Sequence, residues 1–523
     1  MKLQKDIHFE RVKEIYTQTK SSELTAKKIA EENNGTYSGN LSRTIRRWMN
    51  DVGLTKSNVV TPEDSEAFLA ASKKTHNKTA KYYLITSAQN ATHIHKKLWN
   101  NMLAYADKLQ AEIEVIPIRY KNPTSTFQDL PNDWWDQSLH NYMIANRHNI
   151  HPNLVVVGDL KTQPTASTPL TGIEGLTQEA SCIIGHPRQH FVTVPTLKDY
   201  NPKFLLSTGS ITVENYTDSA SGKKGEFHHT YGFVIVEIKD NKTFYLRQVS
   251  ANKDGSFYDL DYKVSNGEVQ QSSEYVETLV MGDLHIGHHC GYCLGETYGM
   301  IDRFNPRYVA IHDIMEGGSI SHHEKKDPFI ALQRELDGSW DMEKEIQDVI
   351  DFLKSFGDND CKVIIVKSNH DIFIDRFLLD NDWRKEKNKY AYLKYALLKA
   401  DGKLPNGILP YNIEQNFTKD KVICLTEDDT FKVKGVELAV HGHLGNASRG
   451  SASQFKRLNT KLITGHSHSP LRLDNLVTVG TLTKLRLDYN KGMSRWFNAN
   501  AIVHQNGKTQ LLLIFKDKGW TTL

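Results

Sequence analysis

At 523 residues the chain is too long for one ordinary core, so two or three domains are expected. A hydrophobic fraction of 39% is normal for a soluble protein, and 65 basic against 62 acidic residues leave a net charge of only +3. That balance excludes an overall field for gripping a polyanion, so any nucleic-acid contact must use local patches.

The first residues, Met1-Lys2-Leu3-Gln4-Lys5-Asp6, lack the apolar run of a secretory signal. No stretch reaches the roughly 18 uninterrupted apolar residues of a membrane span, so a cytoplasmic protein without a membrane partner is expected. Five cysteines, an odd number scattered over the chain, argue against a disulfide framework. Cys290 and Cys293 form the only close pair, and no second Cys-x-x-Cys completes a zinc site around them.

Residues 1–54 read as a helical module with apolar stripes at Val12, Ile15 and Tyr16, at Leu24, Ile29 and Ala30, and at Leu41, Ile45, Trp48 and Met49. Asn33-Asn34-Gly35 supplies a turn, and the whole resembles a helix-turn-helix. Arg43, Arg46 and Arg47 stand opposite the last stripe, where a helix would contact phosphates; a bundle for self-association is the alternative. Residues 55–80, polar and rich in Lys, Thr and Ser, read as a linker.

From Lys81 the pattern alternates strand and helix, which predicts an α/β domain over 81–270. Strands are expected at Tyr82 to Ile85, Ile113 to Ile118 and Leu154 to Val157, with a helix from His95 to Gln110. A second α/β domain, 271–523, follows the same plan. It has strands at Val276 to Met281, Tyr308 to Ile311 and Lys362 to Val366, and an amphipathic helix from Met342 to Phe356.

The two domains read as related. Ile184-Gly185-His186 and Thr208-Gly209-Ser210 run parallel to Thr464-Gly465-His466 and Val479-Gly480-Thr481. In the same alignment Ala88 and Asn90 fall on Asp283 and His285, and Asp159 falls on Asp313. The first domain is then a degenerate copy serving as scaffold, dimer surface or substrate platform.

The chemistry gathers in the second domain. Asp283 and His285 follow the apolar run Val276 to Met281, and residues two apart on a strand point to one side and can grip one cation. Asp313, Asn369-His370-Asp371, His441-Gly442-His443 and Gly465-His466-Ser467-His468 follow in order, each after another short β-branched run. Carboxylates, one amide and several imidazoles without a thiolate suit manganese, iron or zinc better than calcium.

This ordered set resembles the calcineurin-like metallophosphoesterases, whose pattern Asp-x-His, Gly-Asp-x-x-Asp/Glu, Gly-Asn-His-Asp/Glu, His and Gly-His-x-His is matched over residues 283–468. His312 and Ser368 stand where the pattern has glycine, and Glu316 fills its variable acidic position. The resemblance implies an α+β sandwich of two facing mixed sheets flanked by helices. It implies two divalent cations, Mn²⁺ with Fe²⁺ or Zn²⁺ as alternatives. Asp283, His285 and His468 would hold one, Asn369, His441 and His466 the other, and Asp313 would bridge. His370 would be the unligated acid or electrostatic partner of the phosphate, oriented by Asp371.

His443, His322 and His323 are candidate substrate contacts; the last two lie in a loop following Asp313. The helical head, the second α/β domain and a likeness to the DNA-repair-exonuclease branch and to host-DNA-degrading phage nucleases lead to DNA as the expected partner. The expected activity is that of a metal-dependent deoxyribonuclease, and a homo-oligomer is expected. A phosphatase or small-molecule phosphodiesterase, and a non-catalytic DNA-binding regulator, are the alternatives.

Overall fold

In the computed structural model of the protein, residues 3–19, 21–52, 54, 69–74, 80–118, 134–321, 326–356, 360–445, 452–487 and 490–523 are described. They form the mixed α/β architecture of an α+β sandwich, as expected, with helices around several mixed sheets. Two compact units are present. One is Met1–Phe191, Lys203–Phe257 and Val264–Val269, and the other is Val192–Pro202, Tyr258–Lys263 and Gln270–Leu523. Among the described residues no helix is long and apolar enough to cross a membrane.

The first unit opens with helices Lys5–Thr19, Ser22–Glu32 and Gly39–Asp51. Ser21 and Ser38 cap the second and third, their Oγ atoms accepting from the N–H of Leu24 and Leu41, each at 3.4 Å. Helical spacing puts Leu41, Ile45, Trp48 and Met49 on one face, packed with Val12, Ile15, Tyr16, Ala26, Ile29 and Ala30. Arg43, Arg46 and Arg47 project from the exposed side of that helix. Most of the expected linker, 55–80, lies outside the described residues.

Beyond the head, this unit has a four-stranded sheet in the order Glu112–Ile118, Tyr82–Gln89, Gly232–Ile238, Phe244–Ser250. A second run of paired strands joins Arg147–His151, Leu154–Val157, Ser181–Ile184 and Lys203–Ser207.

The second unit repeats this plan and extends it. Its first sheet has the order Val422–Cys424, Lys362–Val366, Tyr308–His312, Val276–Val280, Ala499–His504, Thr509–Leu513. The last four correspond in order and direction to the four-stranded sheet of the first unit. Its second sheet runs Lys432–Val433, Val436–Glu437, Lys461–Thr464, Leu476–Thr478 and Leu471–Leu473. The additional strands Lys362–Val366 and Val422–Cys424 have no counterpart among the described residues of the first unit. Helix Met342–Lys354, capped by Asp341, buries Met342, Ile346, Val349, Ile350 and Leu353 in the core of this extension. Helix Pro328–Asp337 was not anticipated; it buries none of its residues.

Hydrogen bonds fix the correspondence between the units and correct the alignment based on sequence. The N–H of Leu482 donates to the Asp283 carbonyl at 2.8 Å, and the N–H of Ile211 donates to the Ser87 carbonyl at 2.8 Å. Thr481 and Thr483 hydroxyls meet at 2.9 Å, as do those of Ser210 and Thr212. Ser87, not Ala88, therefore occupies the place of Asp283, and Gln89, not Asn90, follows at the spacing of His285. Asp159 is also reassigned. Leu154 pairs with Ser181 and Val436 with Lys461, each partner four residues before Gly185 or Gly465, so Asp159 falls at the place of His441 rather than Asp313. The place next to that of Asp313 is held by Ile116, which packs under Gly185 as His312 packs under Gly465.

Candidate metal centre

Strand ends deliver the side chains. Asp283 follows Val276–Val280 and is pinned by its N–H donating to the Gly480 carbonyl at 3.0 Å and by Thr481 Oγ1 donating to its own carbonyl at 2.9 Å. The N–H of His285 donates to the Asp313 carbonyl at 2.7 Å, joining the first two contributors through the main chain. Strand Lys362–Val366 leads to Asn369 and His370, Val436–Glu437 leads to His441, and Lys461–Thr464 leads to His466 and His468. His285, Asp313, His466 and His468 have φ of 47°, 43°, 72° and 55°. Such left-handed backbone at non-glycine residues is uncommon and gathers at functional sites. Gly465 is required by space: a Cβ there would lie 2.2 Å from Asp283 Oδ1.

The seven expected ligands come together around two poles. At one, His285 Nε2 lies 3.1 Å from His468 Nε2 and 3.4 Å from Asp313 Oδ2, while His468 Nε2 lies 3.2 Å from Asp283 Oδ2. At the other, Asn369 Oδ1 lies 3.1 Å from His441 Nε2 and 2.9 Å from His466 Nδ1. Asp313 Oδ2 stands 3.2 Å from His441 Nε2, so one carboxylate oxygen belongs to both groups.

Burial and proximity set the charges. Burial disfavours the ionised form of Asp283, Asp313 and Glu316, but neighbouring imidazoles outweigh it and hold all three below the usual carboxylate range, Asp313 well below. Burial opposes the charge on His285 as well, yet Asp313 and Glu316 push it up to about 9, and Asp313 raises His441 likewise. His312, His443 and His466 go the other way, to about 4, because burial and the charge on His441 both disfavour a further proton.

A cation fits this donor set. Asp283 Oδ1, Asp313 Oδ1 and His468 Nδ1 are buried and, among the described residues, have no hydrogen-bond partner. Leaving a buried charged or polar atom unpaired is costly. Three groups of His, Asp and Glu have ligand atoms within 4.8 Å of one another: Asp283, His312 and His441; His285, Asp313 and His468; and His285, Glu316 and His370. These buried clusters can hold a metal ion.

His370 stands beside the poles, its ring 4.5 Å from that of His285. Its Nδ1 lies 2.7 Å from the Glu316 carbonyl oxygen, which is therefore its orienting partner. Asp371, expected in that role, instead accepts from the N–H of Ser368 at 3.2 Å and of Met315 at 3.4 Å and braces the loop. His443 lies against His441 and His466 with ring centroids at 5.4 and 6.2 Å. His322 and His323 lie outside the described residues.

Glu316 and His312 are functional candidates that the motifs did not assign. Glu316 Oε2 lies 2.7 Å from His285 Nδ1, and His312 Nδ1 lies 3.4 Å from His441 Nδ1. Their only sequence signals were an acidic residue three positions after the bridging aspartate and a histidine replacing a glycine. Trp496, edge-on to His468 at 4.2 Å, had no signal at all.

No protein-family model matches the chain. Protein A1 of Escherichia phage T5 is 30% identical over 466 residues, which span 83% of this chain and 82% of that protein. At that identity and coverage, the chain belongs to the family of phage T5 Protein A1.

Proposed function

We propose that the chain is a two-metal phosphodiesterase, with Mn²⁺ as the preferred ion, that hydrolyses DNA. The observation that carries the reading is the position of Asp313 Oδ2, 3.4 Å from His285 and 3.2 Å from His441, common to two ligand groups. When bound, a pair of divalent cations acidifies a shared water and neutralises phosphoryl oxygens for in-line displacement.

The chain's own residues do the rest. Asp283, His285 and His468 form one half of the cradle and Asn369, His441 and His466 the other, with Asp313 setting their spacing. His370, its Nδ1 bound to the Glu316 carbonyl, presents Nε2 to the substrate, where it donates to the phosphate and gives a proton to the leaving oxygen. Such proton transfer contributes ~10²–10⁴-fold. His443, held neutral by its buried position, offers its ring N–H to a phosphoryl oxygen. Trp496 packs edge-on against His468 and limits the movement of its ring.

Two features support DNA as substrate: the helical head with exposed Arg43, Arg46 and Arg47, and a first α/β unit that lacks the ligand set among its described residues. A phage protein of this kind would act in the host cytoplasm. The ligand-free unit also suits assembly into a homo-oligomer, which light scattering of the purified protein measures.

The deciding experiment incubates the protein with Mn²⁺ and linear, circular or single-stranded DNA, beside a generic phosphomonoester, and repeats it with Asp313→Ala and His370→Ala. DNA cleavage abolished by both substitutions supports the reading. Cleavage of the monoester with DNA left intact removes it in favour of a phosphatase.

A further inference from the structure

We infer that His312 is the positioning residue of His441, its Nδ1 accepting the proton on His441 Nδ1 so that His441 Nε2 stays turned to the cation. The inference rests on the two-cation reading above. His441 Nε2 already has two oxygen neighbours on the ligand side, Asn369 Oδ1 at 3.1 Å and Asp313 Oδ2 at 3.2 Å. A ring that gives its Nε2 lone pair to a metal carries its proton on Nδ1, and a buried N–H needs an acceptor. That acceptor is ordinarily a carboxylate, a carbonyl or water. Here His441 is 2% exposed, and among the described residues the atom facing its Nδ1 is His312 Nδ1 at 3.4 Å.

Two further observations single out His312. The ring fits because residue 465 is glycine: a Cβ there would lie 3.1 Å from both Cβ and Cγ of His312. In the first unit both members of the pair are replaced. Where His441 gives way to Asp159, the residue packed beneath the corresponding glycine is Ile116, an aliphatic side chain with nothing to accept a proton. A histidine kept only to fill space would have no reason to vanish along with its partner.

The test titrates full-length, metal-free protein with Mn²⁺ by calorimetry, with electron paramagnetic resonance to count bound ions and a melting curve of the metal-free form as a control for folding. His312→Phe keeps a ring and removes the acceptor, and one Mn²⁺ should bind about 10–100-fold more weakly, the loss typical of an outer-shell partner. His312→Asn places an oxygen near the position of Nδ1 and should remain within a few-fold of the wild type. His312→Gln carries its acceptor one bond further out and should behave like His312→Phe, which keeps the comparison available where the phenylalanine variant does not fold. Equal weakening by Asn and Phe at unchanged metal-free melting, or wild-type affinity in the Phe and Gln variants, overturns the positioning role. A wild-type protein that binds no Mn²⁺ overturns the two-cation reading beneath it.

Discussion

Glu316 Oε2 lies 2.7 Å from Nδ1 of His285, on the side of the ring away from Asp313 and His468. This pairing holds His285 with Nε2 facing the ligand pole and raises the basicity of that nitrogen. Glu316→Ala should weaken Mn²⁺ binding about 10–100-fold, and Glu316→Gln, which keeps the size of the side chain and removes its charge, should weaken it as well. Calorimetric titration with Mn²⁺ measures both; equal affinity in all three proteins would remove the carboxylate's role.

Cation uptake should release protons. In the metal-free protein His285 is raised to about 9, so it is charged at neutral pH and must give up a proton to bind, and His441 is raised in the same direction. Below pH 9 the affinity should therefore climb about tenfold per pH unit for each displaced proton and flatten above it. The metal-free fold moves oppositely. A histidine raised on folding contributes stability that is complete below its unfolded value near 6.5 and lost as pH rises towards 9. Titration in buffers of different ionisation enthalpy counts the protons, and melting curves at pH 6 and 9, with and without Mn²⁺, show the crossover.

Gly465→Ala and Gly185→Ala should separate site from scaffold. Both place a Cβ in occupied space, 2.2 Å from Asp283 Oδ1 in one case and 2.5 Å from Ile116 Cγ2 in the other. Overpacking of this sort costs about 1–3 kcal/mol, so both should melt earlier. Only Gly465→Ala should also lose Mn²⁺ binding, since only there is the displaced group a proposed ligand.

The head should act by neutralising phosphates. Replacing Arg43, Arg46 and Arg47 together by alanine leaves the stripe of Leu41, Ile45, Trp48 and Met49 intact. DNA affinity should fall, and the slope of log affinity against log salt should shrink by about 0.9 for each phosphate left without its arginine. An unchanged slope would leave the head with assembly as its task.

The gathering of the seven candidate ligands was legible in the sequence because each of them sits at the end of a β-branched run, and strand ends are where an α/β sheet displays chemistry. Register and sheet order were not legible. Ser87 and Gln89 were misplaced by one position because a strand stripped of ligands has no chemical mark of its face, and a slip of one residue exchanges the faces. Asp159 follows a glycine after a valine-rich run, which made it resemble Asp313, yet only the pairing of Leu154 with Ser181 reveals its sheet. Glu316 reaches His285 through a loop that includes Asp313 in left-handed backbone, which spacing cannot foretell. Helix Pro328–Asp337 turns Phe329, Leu332 and Leu336 outwards, so its stripe marks no core.

The hydroxyl pair Ser210 and Thr212 holds the same corner as Thr481 and Thr483, at the same 2.9 Å, in a unit whose corner carries no aspartate or histidine to ligate. The corner thus closes on hydrogen bonds of the chain itself. A newly synthesised molecule can therefore complete this corner before any cation binds, and under the two-cation proposal the metal supply of the cell would govern how many copies are active and not how many fold.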